Sequence, residues 1–237
     1  MSTNTPLRIG FVGVGNMGQC AHLKNYAVLP ECRVTALAEL RPELGRRVAQ
    51  RYGVAGVYTD HREMLAEESV DALVATQQFA RHGVLIPELA EAGVPIFIEK
   101  PLAGAPEGGQ RIIKALDANK TWMMVGYHKR SEPAIMYAKD LMNTLKQTGE
   151  LGALQYIRIL MAGGDWIAEG FNDLIMTDES LPELEYEAWP EGMDQATTAE
   201  YHRFTNFYVH QVNLMRHLMG EDYTLDYVDP SDKVLVM

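Results

Sequence analysis

The sequence predicts an α/β protein: a doubly wound parallel sheet, followed by an α+β domain with a thin, open-edged sheet. Three observations carry this expectation. Short apolar runs alternate with helical stretches over the first 126 residues. A glycine-rich segment, Gly13 to Gly18, joins the first run to the first helical stretch. Beyond Gly126 the alternation gives way to long amphipathic helices and longer extended runs. Alternating strands and helices build a parallel sheet covered on both faces.

Taken in order, Leu7-Arg8-Ile9-Gly10-Phe11-Val12 has the composition of a buried strand. A helix from Met17 to Leu29 stops near Pro30. Arg33 to Glu39 is the second strand, and Pro42 to Tyr52 the second helix, with its proline in the first turn. Val70–Ala75, Pro95–Glu99 and Trp122–Gly126 follow as strands, with helices over Arg81–Ala92 and Pro106–Asn119 between them. Glu132 to Thr148 places Ile135, Ala138, Leu141, Met142 and Leu145 at helical spacing, with Gly149 as a stop. Ala153 to Met161 reads as a long strand, and Thr198 to Met219 as one long helix ending at Gly220. Tyr223–Val228 and Lys233–Met237 read as strands joined by the turn Asp229-Pro230-Ser231-Asp232. This gives a first domain over 1–126 and a second over 127–237. A sheet of so few strands has open edges, so the second domain reads as incomplete, or as an edge covered by a second subunit.

Composition bounds the function. The chain has 237 residues, 47% hydrophobic and 22% charged, which is ordinary for a globular protein. No apolar run approaches the ~18 residues that span a bilayer. The start shows no basic segment followed by a cleavable apolar one. Two cysteines, Cys20 and Cys32, make no disulfide framework, and reduced thiols in cytoplasm are expected. The net charge of −11 is concentrated: residues 165–200 hold 11 carboxylates and no Lys or Arg, leaving 21 carboxylates against 21 basic residues elsewhere. That pattern argues against nucleic-acid binding. The acidic stretch reads first as a solvated loop, and second as an insertion at a site mouth that disfavours anions. Trp166 and Trp189, within it, read as local anchors or as platforms for a sugar face. No metal-ligand spacing stands out among the histidines.

Gly13-Val14-Gly15-Asn16-Met17-Gly18 fits Gly-x-Gly-x-x-Gly between a strand and a helix, the context a dinucleotide requires. Gly13 permits the tight turn, Gly15 a close pyrophosphate, and Gly18 close packing of helix on strand. Asn16 and Met17 complete the loop at a helix N-terminus, which attracts phosphate. Glu39 lies 21 positions after Gly18, at the end of the second strand. A carboxylate there accepts from an adenosine ribose and repels a 2′-phosphate, so NAD is favoured over NADP. Arg41, Arg46 and Arg47 weigh against that preference, although Arg46 and Arg47 fit a solvated helix face. Glu99-Lys100-Pro101 follows an apolar strand, and its lysine faces the crevice where open α/β sheets bind ligands. An ammonium there can polarise a substrate oxygen.

With these residues in view, the sequence resembles the glucose-fructose oxidoreductase, inositol dehydrogenase and MocA-like family of NAD(P)-dependent oxidoreductases. The resemblance rests on Gly13–Gly18, Glu39, Ala75-Thr76-Gln77, Glu99-Lys100-Pro101 and Val125 to Arg130 with Pro133. The resemblance implies an N-terminal Rossmann domain, and a second α+β domain whose open, mostly antiparallel sheet carries substrate and an oligomer interface. It implies cofactor contacts at Thr76, Gln77, Glu99 and Lys100, and substrate contacts at Tyr127, His128 and Arg130. The family's Asp-x-x-x-His appears here as Asn206-Phe207-Tyr208-Val209-His210. On one continuous helix Asn206, His210, Asn213 and His217 would fall within about 60° of each other at ~100° per residue. His210 suits a general base for a hydroxyl proton. Asn206 cannot stabilise an imidazolium by charge, which leaves three readings open: a different substrate, more of the proton handling at Lys100, or reduced catalysis. The resemblance implies a hydride-transferring oxidoreductase acting on a sugar, polyol or related hydroxy compound. Two other readings stay open: a glycosidase that uses NAD for transient oxidation, and a non-catalytic NAD-binding subunit.

Overall fold

Ile9 to Val12 are buried on both faces, which is why the first strand reads as a continuous apolar run instead of an alternating one. The computed structural model describes residues 5–160, 172–220, 223, 224, 226 and 227. The chain divides into two compact units: Met1–Gly126 with Gly163–Phe207, and Tyr127–Ala162 with Tyr208–Met237.

The first unit holds a six-stranded parallel sheet. Its strands are β1 (Leu7–Val12), β2 (Cys32–Ala38), β3 (Gly56–Tyr58), β4 (Ala72–Ala75), β5 (Ile96–Ile98) and β6 (Met123–Val125), in the order β3-β2-β1-β4-β5-β6. The order reverses between β1 and β4, which is the switch point where doubly wound sheets hold ligands. Register places Val12 beside Ala38 on one side and Ala75 on the other. Residues Gly13, Glu39 and Thr76 therefore leave the sheet together.

Helices cover both faces. α1 (16–26) and α2 (Pro42–Tyr52) bury Leu23, Leu44 and Val48 against Phe11 and Leu37. On the other face α3 (His61–Glu67), α4 (His82–Ala90) and α5 (Pro106–Ala118) bury Met64, Leu85, Ile86, Leu89 and Ile112 against Leu73, Ile96 and Ile98. The pair β3 and α3 is not foreseen from the sequence. β3 is three residues long, and α3 is a two-turn helix whose start is fixed by Asp60 accepting from the Arg62 amide at 2.7 Å.

The described part of the acidic stretch corrects its reading as a solvated loop. Asp178, Glu183 and Glu185 are exposed, but the segment is anchored at four points on the first unit. The Gln19 amide donates to the Ile175 carbonyl and accepts from its N–H, both at 3.0 Å. Glu179 accepts from the Glu43 and Leu44 amides at 2.9 and 3.0 Å, at the N-terminus of α2. Glu187 is buried and accepts from the Gly83 amide at 2.7 Å. Trp189 packs edge-on against Phe79 and His202, so it is a local anchor here; Trp166 lies outside the described residues. Carboxylates at helix N-termini take up amides that have no partner within the helix.

Glu187 demands a glycine beside it. A Cβ on Gly108 would lie 1.9 Å from Glu187 Oε2. Gly108→Ala is expected to destabilise the chain by about 1–3 kcal/mol in denaturant unfolding. The loss should shrink in a Glu187→Ala background, since the side chain in conflict is then gone; equal losses in both backgrounds would contradict this packing.

In the second unit, α6 (Pro133–Gln147) follows a short 3₁₀ turn at His128–Ser131. Residues 153–160, expected as a strand, carry no regular structure, because no neighbouring strand among the described residues offers them a ladder. The expected strands Tyr223–Val228 and Lys233–Met237 fall mostly outside the described residues, and 223, 224, 226 and 227 are irregular. The expected helix from Thr198 to Met219 is two helices, α7 (Gln195–Phe207) in the first unit and α8 (Val209–Met219) in the second, separated at Tyr208. α7 starts where Asp194 accepts from the Thr197 amide at 2.8 Å. No helix among the described residues is long and apolar enough to cross a membrane.

Candidate active site

The glycine loop has the geometry its motif requires. Gly13 sits at φ +88°, a conformation that favours glycine, and its N–H donates to the Ala38 carbonyl at 2.8 Å. A Cβ on Gly18 would lie 2.6 Å from Thr76 Oγ1 and 2.9 Å from the Gly13 carbonyl oxygen, so helix and strand meet too closely for a side chain. A Cβ on Gly15 would meet only Arg41 Nη2, at 3.6 Å, so the loop is open on that side. Asn16 is exposed and Met17 half-buried at the start of α1.

Neighbouring strand ends brace this loop. Glu39 is buried; its carboxylate accepts from the Val14 amide at 2.9 Å and from Arg41 Nε at 2.7 Å. The Thr76 hydroxyl donates to the Gly13 carbonyl at 2.6 Å, and the Gln77 amide donates to the Val12 carbonyl at 3.0 Å. Gln77 in turn accepts from Arg81 at 3.1 Å. Thr76 and Gln77 are therefore supports of the loop backbone. An open glycine turn, a helix N-terminus and a carboxylate at the end of β2 form a donor and acceptor set that fits a dinucleotide.

A second cluster follows β5. The Glu99 carboxylate meets His22 Nε2 at 2.6 Å and accepts from the Lys100 amide at 3.1 Å. Burial pushes the Glu99 carboxyl up, but the His22 contact, its charge and the Lys100 amide outweigh it, and the net direction is down. Glu99 is thus ionised and committed to its neighbours. His22 is a site residue that sequence reasoning missed. Its signal was position alone, since it lies one helical turn beyond Gly18 on α1. Lys100 Nζ donates to the Asn206 carbonyl at 2.9 Å and to Asn206 Oδ1 at 3.1 Å. Burial lowers the Lys100 pKa, and the Glu99 charge opposes this only in part. An ammonium drawn onto a helix carbonyl competes with the helical ladder, and α7 ends one residue later.

The remaining candidates lie in the second unit. His128 and His210 stack edge-on, with ring centroids 5.0 Å apart. Arg130 Nε donates to Asn213 Oδ1 at 2.7 Å, and its guanidinium carbon lies 5.5 Å from the centre of the Tyr127 ring. Lys129 pairs with Glu132 at 2.5 Å. Burial, with the charges of Arg130 and Lys139, lowers the pKa of His217. Asn206 lies in α7 of the first unit and His210 in α8 of the second, so the expected four-residue stripe is not carried by one continuous helix.

Residues 7–127 match the profile of an oxidoreductase family with an NAD-binding Rossmann fold, and this covers half of the chain. The chain belongs to the Gfo/Idh/MocA oxidoreductase family. An inositol 2-dehydrogenase of Burkholderia lata is 28% identical over 194 residues, covering 81% of this chain and 56% of that protein. The crystal structure of a putative myo-inositol dehydrogenase from Sinorhizobium meliloti 1021 superposes with a TM-score of 0.54 at 27% identity, over 59% of this chain and 42% of that one. The fold is shared as well with the WlbA dehydrogenase of Bordetella pertussis, solved in complex with NADH and UDP-GlcNAcA. Its TM-score is 0.55 at 24% identity, over 60% of this chain and 43% of that one. The chain spans about half the length of the curated relatives it matches.

Proposed function

We propose that this family member is an NAD-dependent oxidoreductase acting on a sugar or polyol of the inositol class, with residues 1–126 as the dinucleotide-binding domain. Residues 127–237 form the substrate domain and carry the interface of a homo-oligomer. The reading rests on one observation above all: an ammonium, Lys100, is held by both oxygens of Asn206 beside an ionised Glu99, just beyond the end of β5, with β4 between it and the strand that leads into the glycine loop. The curated relatives named as inositol dehydrogenases point to the substrate class.

Gly13, Gly15, Asn16, Met17 and Gly18 hold the pyrophosphate through backbone amides, and Glu39 accepts from the adenosine ribose. When bound, the nicotinamide supplies hydride acceptance and donation. Lys100 donates a hydrogen bond to the reacting substrate oxygen and stabilises the negative charge that gathers there. Asn206 fixes the ammonium, and Glu99, itself fixed by His22, favours its charged form against the effect of burial. His210 takes the hydroxyl proton as general base, and Tyr127, His128 and Arg130 contact substrate.

The test is NADH formation from a panel of inositols and sugars, followed against pH. The expected result is turnover on cyclic polyols. Its alkaline limb should fall below the usual lysine value of about 10.4, because burial of Lys100 favours the neutral amine. Sugar release with retained cofactor and no net NADH would favour the glycosidase reading; bound NAD without turnover would favour a non-catalytic subunit.

A further inference from the structure

The corner between β2 and α2 decides which dinucleotide fits, because the ribose 2′ position lies beside the carboxylate that ends β2. Every cation described there already has a carboxylate. Arg41 is held by Glu39 at 2.7 Å, Arg47 by Glu43 at 2.7 Å, and Arg46 by Glu43 as well. The N-terminus of α2 is filled too. Its Glu43 and Leu44 amides both donate to Glu179, which reaches them from far along the chain, and the Thr177 hydroxyl donates to the same carboxylate at 2.9 Å.

We infer that Glu179 is a specificity-determining residue: its carboxylate occupies the anion site at the start of α2 and so excludes the 2′-phosphate of NADP. This inference rests on the proposed cofactor reading and adds a residue that no dinucleotide motif contains. Two neighbouring amides at a helix N-terminus, flanked by Arg41 and Arg46, are the donor set a phosphate takes. A carboxylate already seated there removes both donors and adds repulsion. Those same two amides hold the Glu179 carboxyl below the usual range, against a smaller opposing effect of burial, so the group is an anion at neutral pH. The placement is built into the fold. The Gln19 clamp on Ile175 sets the segment down four residues before Glu179, and Thr177 orients the carboxylate. The role also answers the question raised by Arg41, Arg46 and Arg47, which do not serve NADP because their charges are matched locally.

The experiment is calorimetric titration of the chain and of Glu179→Gln with NAD and with NADP. Glu179→Ala is the second variant, and thermal unfolding is followed for all three proteins. NADP affinity is expected to rise by about tenfold in Glu179→Ala, which frees both amides, and by less in Glu179→Gln, which removes only the repulsion, with NAD affinity unchanged within about twofold in both. The gain should fade as salt rises, because the freed site is electrostatic. NAD binding that persists with no gain for NADP would overturn the inference alone. Parallel loss of both affinities with a lowered Tm would reduce Glu179 to a structural cap and overturn it equally. Failure of the parent chain to bind either dinucleotide would overturn the cofactor reading and this inference with it.

Discussion

Replacing Lys100 by alanine is expected to lower turnover by about three orders of magnitude while NAD affinity stays within about twofold. The size follows from what is removed. In the proposed role a partly buried ammonium donates to the reacting oxygen and stabilises its charge, and loss of one such donor typically costs about 10²–10³ in rate. The sparing of NAD follows from position. The proposed pyrophosphate and ribose contacts belong to the loop after β1 and to Glu39 after β2, whereas Lys100 follows β5. Lys100→Met is the control, since it keeps the aliphatic stem and removes only the charge. Steady-state kinetics alongside calorimetry separate the outcomes. A fall in kcat at constant NAD affinity supports a catalytic residue. Equal losses in both, shared by Lys100→Met, would make Lys100 a holder of the cofactor or a strut for Asn206.

The strands and the glycine loop around the switch point were legible because their chemistry is local. Each strand next to the switch point is an apolar run bounded by a glycine or a polar residue, and the Gly13–Gly18 loop follows from the backbone it needs. The placement of Glu39 and Lys100 just beyond β2 and β5 was legible because each closely follows an apolar run that reads as a strand. What failed was whatever depended on a distant partner. Residues 153–160 had suitable composition for a strand, but a strand exists only with a neighbour, and none among the described residues pairs with them. The long helix over 198–219 had unbroken propensity, yet the Asn206 carbonyl is engaged by Lys100, 106 positions away, and the helix is interrupted at Tyr208. Glu179 and Glu187 looked like any solvated carboxylates. Their partners are backbone amides, which have no side-chain identity to betray them in a sequence.

Gly18→Ala and Gly15→Ala together test the glycine loop, because the structure assigns them different penalties. At Gly18 the new Cβ meets Thr76 Oγ1 at 2.6 Å and the Gly13 carbonyl oxygen at 2.9 Å. Thr76 cannot yield freely, since its hydroxyl holds that same carbonyl at 2.6 Å, and Gly13 O is backbone. The loop must move off β4, so Gly18→Ala should lose about 1–3 kcal/mol of stability and most of its NAD affinity. At Gly15 the new Cβ meets only Arg41 Nη2 at 3.6 Å, which is ordinary contact. Gly15→Ala should therefore unfold like the parent and yet bind NAD about tenfold or more weakly, because the methyl stands where the pyrophosphate approaches the backbone. Denaturant unfolding and calorimetry on the two variants separate packing from binding. Parent-like NAD affinity in a folded Gly15→Ala would mean that the loop does not carry the pyrophosphate, and a Gly18→Ala chain of parental stability would mean that α1 and β4 do not meet as described.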